Sequence, residues 1–255
     1  MPQSQTTGLQ PLKENLALGG KVRLIQPEKG YRAGLDAALL AAALDLKPGE
    51  RALEAGAGAG AALVQAAARR PDARFVGVER DDKALALLAR NIALNALSDR
   101  AEALSGDVGA GFRALGVERV DLAFSNPPFF DDPGALRAPS PGKRAAWMAE
   151  DGLKAWCDFL LAATRDRGRI VVIHRADRLG DLLALLGTKA GSFQIRPVQP
   201  FADQPAKRVI VRAVRGGKAP LVLLPALTLH PAEGAAKHTP EADAILRGES
   251  ALDWL

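Results

Sequence analysis

The chain has 255 residues but a single cysteine, Cys157, and only three histidines, His174, His230 and His238. One cysteine excludes an internal disulfide framework and a cysteine-based zinc site, and it fits a reducing compartment. The histidines have no HxxxH-type spacing, so no metal centre is expected. Met1 to Lys13 is polar, without the apolar stretch of a secretion signal, and the longest apolar run, Ala37 to Leu44, is far too short to span a bilayer. A cytosolic protein without membrane attachment is expected. Internal repeats and long low-complexity linkers are missing too, which favours one domain over residues 1–255. Neither sign of charge dominates: 34 Lys+Arg against 29 Asp+Glu leaves +5, which suits a polyanionic partner and equally serves as a plain solubility charge.

From Arg51 onward, short apolar runs alternate with helix-periodic stretches, the pattern of a mostly parallel sheet. Strands are expected at Arg51–Ala55, Arg74–Glu79, Ala101–Ser105, Val120–Ser125 and Arg169–His174. Helices are expected at Ala59–Arg69, at Asp81–Asn95 with Asp81 as N-cap, briefly after Asp107, and at Asp151–Arg165. Leu35–Leu44 reads as a helix ahead of this series, and Arg178–Leu186 as one behind it. Phe193–Pro197 and Arg208–Val214 would form an antiparallel edge hairpin, Leu221–Leu229 one further strand, and Pro240–Arg247 a short helix capped by Thr239.

The first strand of the series runs through Glu54-Ala55-Gly56-Ala57-Gly58-Ala59-Gly60 directly into a helix. Glycines there permit a tight turn whose N–H groups approach a ligand at the positive end of the helix. The next strand ends at Glu79, nineteen positions beyond Gly60, where a carboxylate can accept hydrogen bonds from both ribose hydroxyls. This is a nucleoside site. The loop alone also satisfies the relaxed dinucleotide fingerprint, Gly56-x-Gly58-x-x-Ala61. Two acids tilt the choice: Glu54 would repel a phosphate but favour the ammonium or sulfonium of S-adenosylmethionine, and Asp107, after the third strand, is placed to accept from an adenine amine.

The fourth strand ends in Asn126-Pro127-Pro128-Phe129-Phe130. Two prolines stiffen the segment and remove its backbone donors, so it presents carbonyls and a ring in a fixed arrangement. The lone pair of an adenine exocyclic amine is delocalised into the ring. Acceptance of its two N–H bonds by the Asn126 side-chain oxygen and the Pro127 carbonyl would aim that lone pair at a methyl donor, with Phe129 stacked on the base.

In this order and spacing, Glu54 to Gly60, Glu79, Asp107 and Asn126-Pro-Pro-Phe129 resemble the four core motifs of class I S-adenosylmethionine-dependent amino-methyltransferases. Gly30-Tyr31-Arg32-Ala33-Gly34-Leu35-Asp36-Ala37 resembles the segment ahead of the core in the bacterial tRNA(Val) adenine-N6 methyltransferases. The similarity runs from about Leu16 to Val214, which implies a core of about residues 16–215 and a C-terminal extension at 216–255. It implies a Rossmann-like α/β fold: a mostly parallel seven-stranded sheet with an antiparallel edge hairpin and helices on both faces. It also implies S-adenosylmethionine as cofactor. Glu54, Ala55, Gly56, Gly58 and Gly60 would hold its methionine part, with Tyr31 and Arg32 at that end. Glu79 and Arg80 would hold the ribose, and Asp107 and Val108 would contact adenine. Asn126, Pro127, Pro128 and Phe129 would be catalytic, Asn126 also touching the cofactor.

The segment Asp131–Ala146 carries Arg137, Lys143 and Arg144. With Phe130, Lys143 and Arg144 would bind substrate by gripping phosphates around a flipped-out base, or this is simply a solvated loop. Lys207, Arg208, Arg212, Arg215 and Lys218 form a second basic set on the edge hairpin, readable as edge protection. His174 reads as structural, and Trp147 and Trp156 as helix packing. The leading reading is methylation of an adenine N6 in RNA, tRNA first. Alternatives are another planar amine (guanine N2 of rRNA, a DNA adenine or a protein glutamine amide), a nicotinamide oxidoreductase, or a binding module without turnover.

Overall fold

The computed structural model describes residues 11–28, 34–128 and 151–255. Seven long strands form the body of one sheet: β3 (Arg51–Ala55), β4 (Arg74–Glu79), β5 (Ala101–Ser105), β6 (Val120–Ser125), β7 (Thr164–Arg175), β8 (Ala190–Gln199) and β9 (Arg208–Arg215). They lie in the order β5-β4-β3-β6-β7-β9-β8, parallel except where β9 runs against both β7 and β8. This is the Rossmann-like, mostly parallel α/β architecture that was expected. One core packs α1 (Leu35–Ala42), α2 (Ala61–Arg69), α3 (Asp82–Leu94) and α6 (Pro240–Leu246) against one sheet face. The other packs α4 (Asp151–Ala163) and α5 (Leu179–Leu186) against the opposite face. Alternation along the strands assigns each side chain to its face: Leu122 and Phe124 enter the first core, and Ala123 between them the second. Expected capping is present, with Asp81 accepting from the Ala84 N–H at 2.9 Å and Thr239 from the Ala242 N–H at 3.2 Å.

The expected antiparallel hairpin β8–β9 closes one end of the seven-strand body, β9 running against both β7 and β8. Two expectations are corrected. Leu221–Leu229 is not one strand but two short ones, β10 (Val222–Leu223) and β11 (Leu227–Thr228), both parallel to β8 on its outer side. The basic set does not protect an edge: Arg208 pairs with Asp36 of α1 at 3.0 Å, Arg212 with Asp45 at 2.9 Å and Arg215 with Asp166 at 3.3 Å. Residues 216–255 pack into the first core through Leu227, Ile245 and Leu252, and the Trp254 indole donates to the Ala43 carbonyl at 2.7 Å.

Sequence reading missed an N-terminal hairpin, β1 (Leu12–Ala17) and β2 (Val22–Pro27), paired antiparallel. Its second strand points Val22 and Leu24 into the core. The free edge of β2 meets two side chains of α3 rather than a third strand. Asn91 accepts from the Ile25 N–H at 2.8 Å and donates to the Ile25 carbonyl at 2.9 Å; Asn95 does the same for Arg23 at 2.9 and 2.7 Å. One helical turn separates the two asparagines, so their carboxamides stand in line and serve as a strand edge would. Asn91 also donates to the Ala59 carbonyl at 2.8 Å, which joins hairpin, helix and glycine loop at one buried residue. Among the described residues no helix is long and apolar enough to cross a membrane.

Asn91→Ala strands two buried backbone groups of Ile25 and the partly buried Ala59 carbonyl, and should lower stability by about 2–4 kcal/mol. Asn95→Ala, at a half-buried position, should cost about 1 kcal/mol. Urea titration of both variants checks the difference, and equal losses would refute the central place of Asn91.

Candidate active site

The carboxyl ends of β3, β4, β5 and β6 bring together the acids and the Asn-Pro-Pro turn. After β3 the chain turns through Gly56 at φ +66° and Gly60 at φ +82°, conformations that L side chains rarely adopt. Space adds a second demand at Gly56. A Cβ there would lie 2.1 Å from the Trp156 indole, which α4 wedges beneath the loop. Trp156 therefore packs as expected, and its packing partner is the glycine loop.

Glu54 is buried at the end of β3 and accepts from the Leu63 N–H at 2.9 Å, capping α2 from outside because Gly60 has no side chain to do so. Burial above all pushes its carboxyl well above the ordinary glutamate value; the Leu63 N–H pulls it back and nearby Glu79 adds to the rise. Glu79 accepts from the Gly58 N–H at 2.8 Å and from the Arg80 and Asp81 N–H groups at 2.9 Å each. A pyrophosphate would need that Gly58 donor and would meet the Glu79 carboxylate. The arrangement favours a phosphate-free nucleoside over a dinucleotide.

Asp107, after β5, accepts from the Gly109 N–H at 2.8 Å, and its other oxygen lies 3.6 Å from the Arg80 guanidinium. Val108, buried, opens the short helical turn that follows. At the end of β6 the buried Ser125 hydroxyl donates to the Ala55 carbonyl at 2.8 Å, locking the Asn126-Pro127-Pro128 turn to the start of the glycine loop.

These pieces meet in a cavity of about 80 Å³. Glu54, Gly56, Gly58 and Asn126 line it together with Gln26 and Pro27 of the hairpin and the first turn of α2. A side chain at Gly58 would meet nothing within 4 Å, so this part of the loop opens onto the space it lines. Glu79, Arg80 and Asp107 stand outside it, along the adjacent strand ends. The donor set fits S-adenosylmethionine: backbone N–H groups and a carboxamide at the enclosed end, carboxylates toward the nucleoside end. Sequence reading missed Gln26 and Pro27, because nothing in the chain marks the hairpin as neighbour to a loop thirty positions on.

Tyr31, Arg32, Phe129, Phe130, Lys143 and Arg144 lie outside the described residues, as do Arg137 and Trp147. His174 is buried with its Nδ1 accepting from the Arg175 N–H at 2.8 Å, and burial pushes it down to about 4, so it stays neutral at physiological pH. The Cys157 thiol, also buried, is pushed up to about 12. Among the described residues no group of His, Cys, Asp and Glu could hold a metal ion.

Residues 32–138 match the family model of the methyltransferase small domain. The chain is 32% identical over 190 residues to the tRNA1(Val) (adenine(37)-N6)-methyltransferase of Porphyromonas gingivalis, covering 70% of this chain and 72% of that protein. It is also 32% identical over 117 residues to the ribosomal protein uL3 glutamine methyltransferase of Bradyrhizobium diazoefficiens, covering 46% of this chain and 36% of that one. Among solved structures it is similar to a predicted O-methyltransferase from Agrobacterium tumefaciens, with a TM-score of 0.72 and 26% identity over 85% of this chain and 98% of that one.

Because Glu54 keeps its proton in the folded chain where the unfolded chain has lost it, the ligand-free protein should lose stability as pH rises above 4.5. Glu54→Gln keeps an acceptor for Leu63 and removes the charge. Its melting temperature relative to the parent should climb as pH rises above the ordinary glutamate value; a difference that is flat or falls with pH would contradict the assignment.

Proposed function

This chain belongs to the class I S-adenosylmethionine-dependent methyltransferases, in the family of the tRNA1(Val) adenine-N6 enzymes, and on that footing we propose that it methylates the exocyclic N6 amine of an adenine in tRNA. The observation that carries the proposal is the position of Asn126: an Asn-Pro-Pro turn, tied to the glycine loop through Ser125 and Ala55, borders the same cavity as that loop.

When bound, S-adenosylmethionine supplies an electrophilic methyl group on a sulfonium. Gly56, Gly58 and Gly60 hold its amino-acid end, with Ala55, Glu54, Tyr31 and Arg32 around it. Glu79, beside Arg80, accepts from the ribose hydroxyls, and Asp107 and Val108 hold the adenine edge. Asn126 and the Pro127 carbonyl accept the two N–H bonds of the target amine. This would turn the nitrogen lone pair toward the methyl group and stabilise the positive charge on nitrogen as the methyl–sulfur bond gave way and S-adenosylhomocysteine was released. The turn needs no strong base, since the amine proton becomes acidic only as the methyl arrives and then passes to solvent. Pro128 keeps the turn rigid, and Phe129 stacks on the base. Phe130, Lys143 and Arg144, which follow it in sequence, are assigned to the surrounding RNA, the two cations to its phosphates.

A second reading keeps the chemistry and changes the amine, because a glutamine side-chain amide is also a planar N–H₂; the likeness to the uL3 glutamine methyltransferase favours it.

Labelled methyl transfer to total RNA, DNA and protein from cells lacking this protein separates the two: N6-methyladenosine in the tRNA fraction supports the proposal, and label in protein glutamine replaces it. Asn126→Ala should lower turnover by about a hundredfold or more while cofactor affinity stays within about twofold. Surviving turnover would remove Asn126 from its role.

A further inference from the structure

The hairpin places one polar side chain in the cavity wall that neither the motifs nor the chemistry above uses. Alternation along β2 sends Gln26 inward with Val22 and Leu24. Only 5% of Gln26 is exposed, no hydrogen bond to another described residue engages its carboxamide, and the residue lines the cavity. A carboxamide that is held in a wall by its neighbours, unbonded by them and open only toward a cavity is free to serve a ligand there. Two more donors line the same space: the Ala61 and Ala62 N–H groups, in the first turn of the nine-residue α2, have no acceptor among the described residues. The next N–H, of Leu63, is already taken by Glu54.

We propose that Gln26 is a cofactor-binding residue whose carboxamide N–H donates to the α-carboxylate of the S-adenosylmethionine amino-acid end, alongside the first N–H groups of α2. This rests on placing the cofactor in the cavity described above. The cavity's lining agrees: it holds the glycine loop and the start of α2, while the carboxylates assigned to ribose and adenine stand outside it. A carboxylate suits a cluster of donors at a helix start, and an amide is the side chain that adds a donor without adding charge beside Glu54. Asn91 fixes the geometry, since the carboxamide that grips Ile25 also grips Ala59 and so sets Gln26 at a constant distance from the glycine loop.

The test is titration calorimetry of the full chain with S-adenosylmethionine, S-adenosylhomocysteine and 5′-methylthioadenosine, which keeps the nucleoside and thioether but lacks the amino-acid end. Gln26→Ala should weaken the first two about tenfold or more and leave the third unchanged. Gln26→Glu, which sets a carboxylate against a carboxylate, should weaken the same two further. Equal weakening of all three ligands would make Gln26 a scaffold residue and overturn the proposal. Unchanged cofactor affinity with a raised KM for RNA would assign Gln26 to the target base instead and also overturn it. Glu79→Ala distinguishes this failure from failure of the underlying reading. If it weakens all three ligands while Gln26→Ala changes none, the Gln26 assignment alone falls; if it changes none, the cofactor binds elsewhere and both fall.

Discussion

The site depends on how tightly the chain is squeezed where β3 gives way to α2. Trp156 presses on Gly56 from one face of the sheet, and Leu88, fully buried in the core of the other face, would touch a Cβ at Gly60 at 2.3 Å. Two separately packed cores thus define the gap through which five residues must pass. Only a backbone without side chains at Gly56 and Gly60 fits, and only with positive φ. The remaining features follow from that passage. The loop emerges with the Gly58 N–H directed at Glu79, and α2 begins with no capping side chain of its own, which draws Glu54 inward to serve Leu63. A larger residue at Gly56 would do more than lose a ligand contact, because the rigid indole cannot move without disturbing the α4 core.

Charge is distributed in a way that net composition conceals. The acids Glu54, Glu79 and Asp107 gather at the carboxyl ends of the strands, whereas many of the arginines are committed to ion pairs within the protein itself. Arg208 and Arg212 hold α1 and the loop after it through Asp36 and Asp45. Arg169, almost fully buried, is shared between Glu50 and the Asp45 carbonyl and carboxylate. Such buried pairs contribute modestly to net stability but are severe to break, since each leaves an uncompensated charge. The surplus of +5 therefore says little about where a nucleic acid would bind. The hairpin β8–β9, basic in sequence, is mostly a set of internal clasps.

Legibility in the sequence followed the range of the interactions involved. Alternating strands and helices from Arg51 to Arg175 announced themselves because each element carries its own periodicity and local caps, as Asp81 does for α3. Strand-end acids were legible for the same reason, as they sit at fixed offsets from those strands. The hairpin β1–β2 was not: what holds its open edge is Asn91 and Asn95, 66 and 72 positions away from their partners, and an asparagine inside a helix gives no sign that it replaces a strand. In the tail the helix capped by Thr239 was legible, but the two strands were not, because β10 and β11 are two residues each and exist only as additions to β8. Arg208, Arg212 and Arg215 were misread as edge protection because their partners, Asp36, Asp45 and Asp166, lie on other elements of the chain.

The hairpin also changes what counts as the binding domain. Had β2 been merely an N-terminal ornament, the glycine loop and strand-end acids would form a complete shelf without it. Instead one asparagine is bonded to both the hairpin and the loop, so displacement of either strains the other through hydrogen bonds that have no substitute among the described residues. Cofactor binding should consequently order the two together, and energy gained at the loop reaches the hairpin by direct contact rather than through the sheet. The consequence runs in both directions: the end of β2, formed from a segment with no motif of its own, borders the cavity together with the glycines.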